Sequence, residues 1–164
     1  MEPSNLVIRE TEKGKAVFAG RDIKAGEYVC DFTGPLFTMA EYLELHDPCN
    51  NHYVQIDDDL FMGPSGGADD LINHSCNPNG GLVYRDGTVN FIAIRDIREG
   101  EELSFDYSTT MDEDCWEMEC LCGDPACRKT VRDFKYLPAE LRDRYLSLGV
   151  VMPYIARKHR QSRA

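Results

Sequence analysis

Apolar residues in this chain come in short runs separated by polar turns, the pattern of strands rather than of long helices. Leu6-Val7-Ile8 and Ala16-Val17-Phe18-Ala19 read as two strands joined by the Thr11 to Lys15 turn, with Gly14 as a hairpin glycine. Tyr28 to Thr33 is a third strand, stopped by Gly34-Pro35. Thr38, with Glu41 in capping-box spacing, predicts a short helix over Met39 to His46 that Asp47-Pro48 ends. His52 to Ile56 alternates like a strand, and Asp57-Asp58-Asp59 turns the chain. Gly80 to Ile94 reads as a hairpin around Asp86-Gly87. Pro138 opens a helix from Ala139 that ends near Gly149. The expected class is therefore mainly β with a few short helices (α+β), without the strand–helix alternation of a doubly wound nucleotide fold.

One internal similarity stands out. Arg21-Asp22-Ile23-Lys24-Ala25-Gly26-Glu27 is nearly repeated as Arg95-Asp96-Ile97-Arg98-Glu99-Gly100-Glu101, which predicts two similar strand-turn-strand corners.

Length and charge narrow the function. The 164 residues suffice for one domain with a real core, and 42% hydrophobic with 29% charged residues is ordinary globular composition. No apolar run approaches the roughly 20 residues that span a bilayer. Met1 to Glu10 lacks the basic and apolar regions of a signal peptide, so an intracellular, soluble protein is expected, cytoplasmic or, in a eukaryote, nuclear. A net charge of -11 repels a phosphate backbone and favours a basic protein or peptide partner over nucleic acid. Arg157 to Arg163 forms a basic tail, expected as a solvated end. The Asp57 to Asp59 run lacks the ligand spacing of a calcium loop, and Gly63 to Gly67 lacks the Gly-Lys-Ser/Thr ending of a phosphate loop.

Three stretches carry chemistry. Asn73-His74-Ser75-Cys76-Asn77-Pro78-Asn79 concentrates amide, imidazole, hydroxyl and thiol groups before a turn. In Glu102 to Tyr107, Leu103, Phe105 and Tyr107 share one strand face, and Glu102, Ser104 and Asp106 the other. Cys120, Cys122 and Cys127, spaced C-x-C-x4-C, suit a tight metal knuckle. Structural zinc takes four ligands, so a fourth comes from elsewhere: Cys76, Cys115, Cys30, Cys49 and the histidines are all candidates by spacing.

Together these segments resemble the SET-domain protein lysine methyltransferases. Gly14-Lys15-Ala16-Val17-Phe18-Ala19 is similar to the family's G-x-G turn. Asn73 to Asn79 matches its NHSCxPN signature, Gly100 to Tyr107 its GEELxFDY signature, and Cys120 to Arg128 its post-SET zinc segment. The resemblance implies a β-clip fold with a C-terminal pseudoknot: a SET domain over 1–110, a post-SET zinc segment over 111–130, and a C-terminal helix and basic tail over 131–164. It also implies S-adenosylmethionine held by Lys15, Ala16, Tyr53, Asn73, His74 and Tyr107. Tyr107 is then catalytic, Phe32 and Phe105 line the substrate channel, and one structural zinc sits on Cys76, Cys120, Cys122 and Cys127, the resemblance selecting Cys76 as the fourth ligand.

The function so implied is S-adenosylmethionine-dependent N-methylation of a lysine-rich protein or peptide, such as a histone, ribosomal or DNA-binding protein. The alternative is a SET-like interaction module without turnover. Four positions depart from the family pattern. Ala16 stands for the second glycine of G-x-G, Phe32 for the tyrosine of Y-x-G, and Asp70-Leu71 for the usual Arg-Phe. Phe105 occupies the Phe/Tyr switch position, where Phe is associated with room for more than one methyl.

Overall fold

The computed structural model describes residues 5–45, 52–114 and 116–162. Its first element is a hairpin of β1 (Leu6–Thr11) and β2 (Gly14–Ala19), in register Leu6 with Ala19 and Thr11 with Gly14. β3 (Tyr28–Phe32) pairs antiparallel with β9 (Thr88–Ala93), which also pairs with β8 (Gly80–Arg85). The β8–β9 turn has both central residues at positive φ, Asp86 at 54° and Gly87 at 79°, as expected of an Asp-Gly hairpin.

A second three-stranded sheet runs β4 (Leu36–Phe37), β6 (Leu60–Met62), β5 (Val54–Asp57). Gly34 joins β3 to this sheet at φ +148°, where a Cβ would lie 2.0 Å from the Gly63 carbonyl oxygen; no larger residue fits there. The helix α1 (Met39–Leu45) carries the expected capping box in full. The Thr38 N–H donates to Glu41 Oε2 at 2.8 Å, and the Glu41 N–H donates to Thr38 Oγ1 at 3.2 Å. The expected last helical residue, His46, and the Asp47-Pro48 stop lie outside the described residues.

The repeated corners bind each other. Ile23 and Ile97, each 1% exposed, exchange both backbone hydrogen bonds at 2.8 Å. Asp22 Oδ1 accepts the Glu99 N–H, and Asp96 Oδ1 accepts the Ala25 N–H, the equivalent position of the other copy. Each copy closes its own Arg–Glu pair, Arg21 with Glu27 and Arg95 with Glu101. The similarity in sequence is a local two-fold pairing in space.

β7 (Asn73–His74) and β10 (Ser104–Phe105) run parallel, Asn73 beside Ser104 and His74 beside Phe105. Two segments distant in sequence thus lie side by side. β11 (Met118–Glu119) and β12 (Thr130–Val131) form a small antiparallel pair that brackets the cysteine segment.

At the C-terminus the basic residues Arg157, Lys158 and Arg160 are exposed, as expected of the tail, but they stand on a helix whose preceding residues dock. α2 (Ala139–Leu148) ends on Gly149 in the left-handed region, as predicted, but α3 (Pro153–Ser162) follows and is docked. Its Tyr154 and Ile155 are buried, and Lys158 pairs with Asp58 and with Asp112, the latter at 2.6 Å. The basic residues face an acidic turn far away in sequence, so opposite charges and two apolar side chains hold the segment down. Arg163 lies outside the described residues. Val150, Val151, Met152, Tyr154 and Ile155 share one core cluster with Val17, Val29, Leu82 and Phe91. Among the described residues no helix is long and apolar enough to cross a membrane.

Candidate functional site

The parallel pair β7–β10 sets the site. Sheet pairing puts Asn73, His74 and the start of the Tyr107 turn side by side, and the Ser75 N–H donating to the Phe105 carbonyl extends the pairing by one residue. The Tyr107 N–H donates to His74 Nδ1 at 3.0 Å, which makes Nδ1 the acceptor and leaves the ring proton on Nε2. Nε2 lies 3.3 Å from the Cys76 sulfur. Burial pushes the His74 imidazole down to about 4, with the Asp106 carboxylate at 3.6 Å opposing that shift. The ring is therefore neutral at physiological pH.

A narrow channel lies on one side of Tyr107. Its apolar wall is made by Phe32, Tyr53, Phe105, Tyr107, Met111 and Trp116, with a free volume of about 20 Å³. Phe32 and Phe105 meet edge to face at 5.6 Å, and Phe105 lies 4.8 Å from the Tyr107 ring.

A wide groove lies on the other side, with a free volume of about 540 Å³. Asn73, His74, Glu102, Lys13 and Arg95 are among the polar residues that line it. Asn73 Nδ2 donates to Glu102 Oε1 at 3.1 Å and lies 3.5 Å from the Lys15 carbonyl. Tyr107 lines both cavities. Its hydroxyl donates to the Ile72 carbonyl at 2.8 Å, and burial, with Glu102 adding, raises its pKa well above the ordinary phenol value. With its proton committed to Ile72, the oxygen keeps lone pairs free to accept.

At the wall of the groove that Cys120 and Cys122 line, Cys76, Cys120, Cys122 and Cys127 converge, with all four sulfurs within 4.8 Å of one another. A regular tetrahedron with zinc–sulfur bonds of about 2.3 Å puts its sulfurs about 3.8 Å apart. Cys76 and Cys120 are 3.7 Å apart, so the donor set fits a tetrahedral thiolate metal. Backbone N–H groups support the sulfurs, Arg128 to Cys76 and Cys122 to Cys120, each at 3.4 Å. Burial opposes ionisation of Cys122, yet hydrogen bonds from backbone N–H groups and the neighbouring thiols outweigh it and bring its thiol down to about 7.

The family model for the SET domain matches residues 14–108. This chain belongs to the SET domain family. Among its relatives are the variant-silencing SET domain-containing protein of Plasmodium falciparum (isolate 3D7), 35% identical over 140 residues, and the histone-lysine N-methyltransferase trr of Drosophila melanogaster, 33% identical over 134 residues. Each alignment covers 75% of this chain but only 5% and 6% of the respective relative's length. The solved structure of KRYPTONITE in complex with mCHH DNA, H3(1-15) peptide and SAH superposes with TM-score 0.61 at 26% identity. That match covers 78% of this chain and 29% of the other. The methyltransferase domain of human SETMAR matches in fold with TM-score 0.65 at 22% identity, over 78% of this chain and 58% of that one.

Within this SET domain the expected residues fall into place unevenly. Asn73, His74 and Tyr107 line the groove, Phe32 and Phe105 the channel, and the four cysteines cluster. Tyr53 lies on the channel side. Ala16 is fully buried in β2, and the groove residue from that hairpin is Lys13. Of the other cysteine candidates, Cys30 is half-buried in β3, outside the sulfur cluster, and Cys49 and Cys115 lie outside the described residues. Sequence reasoning gave no role to Met111 and Trp116, which wall the channel. The lone tryptophan, in an acidic linker just after the signature tyrosine, was the available signal.

Proposed function

We propose that this SET domain is an S-adenosylmethionine-dependent protein-lysine N-methyltransferase acting on a lysine-rich protein or peptide, such as a histone. One observation carries the reading: Tyr107 lines both a small cavity with an aromatic wall and a polar groove large enough for a nucleoside cofactor. The SAH and H3 peptide in the KRYPTONITE complex, and the histone-lysine methyltransferases among the relatives, support it. A histone substrate would place the protein in a nucleus.

When bound, S-adenosylmethionine supplies an electrophilic methyl on a sulfonium. Asn73, His74 and Tyr107 would hold the cofactor in the groove, with Lys13 and Glu102 beside them. The substrate amine must arrive neutral, which at pH 7 costs about 4.6 kcal/mol for a lysine of ordinary pKa. Phe32, Phe105, Met111 and Trp116 give the channel an apolar wall that disfavours the ammonium form, against the carboxylates of Asp69 and Asp70, which also line it. The Tyr107 oxygen, its proton on Ile72, can accept from the incoming amine and fix its direction. Positioning of the amine beside Tyr107 supplies the rate. The Tyr107 phenol does not ionise near neutral pH and is no general base. Cys76, Cys120, Cys122 and Cys127 would hold zinc as a structural ion, since four protein ligands leave no position for substrate.

The test is incubation with labelled S-adenosylmethionine and a mixture of basic proteins, alongside Tyr107→Phe. Label should reach protein lysines with the wild type and fall about 10²-fold or more with the variant. Cofactor binding without transfer would mark an interaction module instead. Neither binding nor transfer would sink the proposal.

A further inference from the structure

Asp106, immediately before Tyr107 and only 1% exposed, is held from three directions. Its Oδ1 accepts the Ser108 N–H at 3.0 Å and an Arg128 Nη2 proton at 2.8 Å. Its Oδ2 accepts the Tyr145 hydroxyl at 2.9 Å, and Tyr145, on α2, is also 1% exposed. The Asp106 carbonyl accepts the Thr109 N–H at 3.0 Å. This carboxylate therefore fixes the short turn that carries Tyr107.

The other half of the Arg128 guanidinium makes the arrangement informative. Arg128 Nη1 is buried without a hydrogen-bond partner, while Nη2 reaches Asp106 and, at 3.2 Å, Ser108 Oγ. Arginine and carboxylate prefer a two-pronged pairing. Here the Tyr145 hydroxyl fixes the direction of the second carboxylate oxygen, and Nη1 makes no hydrogen bond to it, so the fork stays half-filled. Without that hydroxyl, Asp106 Oδ2 is free to swing toward Nη1. The swing pulls on the Ser108 N–H and with it the Tyr107 turn.

We infer that Tyr145 is a positioning residue for methyl transfer: its hydroxyl holds the Asp106 carboxylate in the rotation that keeps Tyr107 in line with channel and groove. This inference rests on the methyltransferase reading of Tyr107. It extends the working site to α2, beyond the residues 14–108 matched by the family model. Tyr145 touches no reacting group and acts only through Asp106.

The test uses the full chain with zinc bound and three variants, Tyr145→Phe, Arg128→Lys and the double. A sub-ångström shift of the Tyr107 oxygen should cut kcat about 10- to 100-fold in Tyr145→Phe, with KM for S-adenosylmethionine within about twofold of wild type. Backbone amide exchange at Tyr107 and Ser108 should quicken, and that at β8 and β9 should not. In the double variant lysine cannot form the fork, so kcat should recover at least part of the loss. Unchanged kcat and unchanged exchange in Tyr145→Phe would overturn the inference, as would a loss that the double variant deepens. A wild type that transfers no methyl fails the functional proposal instead; the exchange comparison then still decides whether Tyr145 holds the turn.

Discussion

Two C-terminal attachments meet the β7–β10 pair, and they hold by opposite means. The cysteine segment between β11 and β12 has little apolar mass of its own, and its Leu121 is 67% exposed. It is fastened by four converging sulfurs, one of them from the Asn-His-Ser-Cys stretch. The helical segment is fastened by burial: Phe134, Leu137, Tyr145, Met152, Tyr154 and Ile155 belong to the main core. Buried hydrogen bonds then fix its direction, Tyr154 to the Thr110 carbonyl at 2.6 Å and the Met152 N–H to the Thr109 carbonyl at 3.1 Å. The first attachment, apart from the Arg128–Asp106 pair and a small apolar cluster at Trp116 and Val131, would gain its hold from a metal that can be removed; the second is part of the main core.

The sharpest break of that contrast is Cys122→Ser. Elemental analysis should find about one zinc per wild-type chain and none in the variant, because three thiolates lose the closed tetrahedron. Hydrogen exchange should then rise sharply through residues 118–131 and little in α2. If the helices lose protection to the same degree, the two attachments are not independent.

Next in size is Met152→Ala, at a fully buried position. Loss of those methylenes should cost about 2–5 kcal/mol in denaturant unfolding, with zinc content unchanged. A smaller effect accompanied by zinc loss would reverse the assignment of roles.

A buried acid gives the helical side a pH signature. Asp133 is 1% exposed, and its Oδ2 accepts the Asp114 N–H. Burial raises its pKa from 3.8 to about 6, against that N–H and with Glu113, Asp112 and Asp114 adding to the rise. Between those values the unfolded chain has lost a proton that the folded chain still holds. Stability should therefore fall as pH rises through that window, by up to about 3 kcal/mol. Asp133→Asn should flatten this dependence in unfolding curves taken from pH 4 to 7, and an unaltered slope would exclude Asp133 as its source.

Smallest is Lys158→Ala. The ammonium, half exposed, bridges Asp58 and Asp112, so its removal should cost under about 1 kcal/mol and less still at high salt. A larger loss would mean that charge, rather than Tyr154 and Ile155, docks α3.

The sequence was most legible where structure is local. The capping box at Thr38 and Glu41, the Asp86-Gly87 turn and the Gly149 stop each follow from a few adjacent residues. The repeated corners were legible as similar, yet their mutual pairing was not, because nothing in Arg-Asp-Ile says what it binds. The signature residues Asn73, Cys76 and Tyr107 were found by resemblance, and the fourth sulfur by that route alone. The exposure of Arg157, Lys158 and Arg160 was legible from their charge, whereas the docking of Tyr154 and Ile155 just before them was not, because their apolar run is short. The ionic partners of that segment, Asp57 and Asp58, lie about a hundred positions away, where nothing in the Asp57-Asp58-Asp59 turn names them. Trp116, Arg128 and Tyr145 escaped notice for the same reason: their roles depend on three-dimensional neighbours, and no short pattern names them.

The central claim is that the Asn73 to Cys76 stretch serves the groove and the sulfur cluster together, through His74 and Cys76. The most direct test is calorimetric titration of S-adenosylmethionine into the zinc-loaded protein and into the same protein after chelation, with circular dichroism confirming that the helices persist. Affinity should fall at least about tenfold on zinc removal and return when zinc is restored. Equal affinity with and without zinc would contradict the coupling of the two sites.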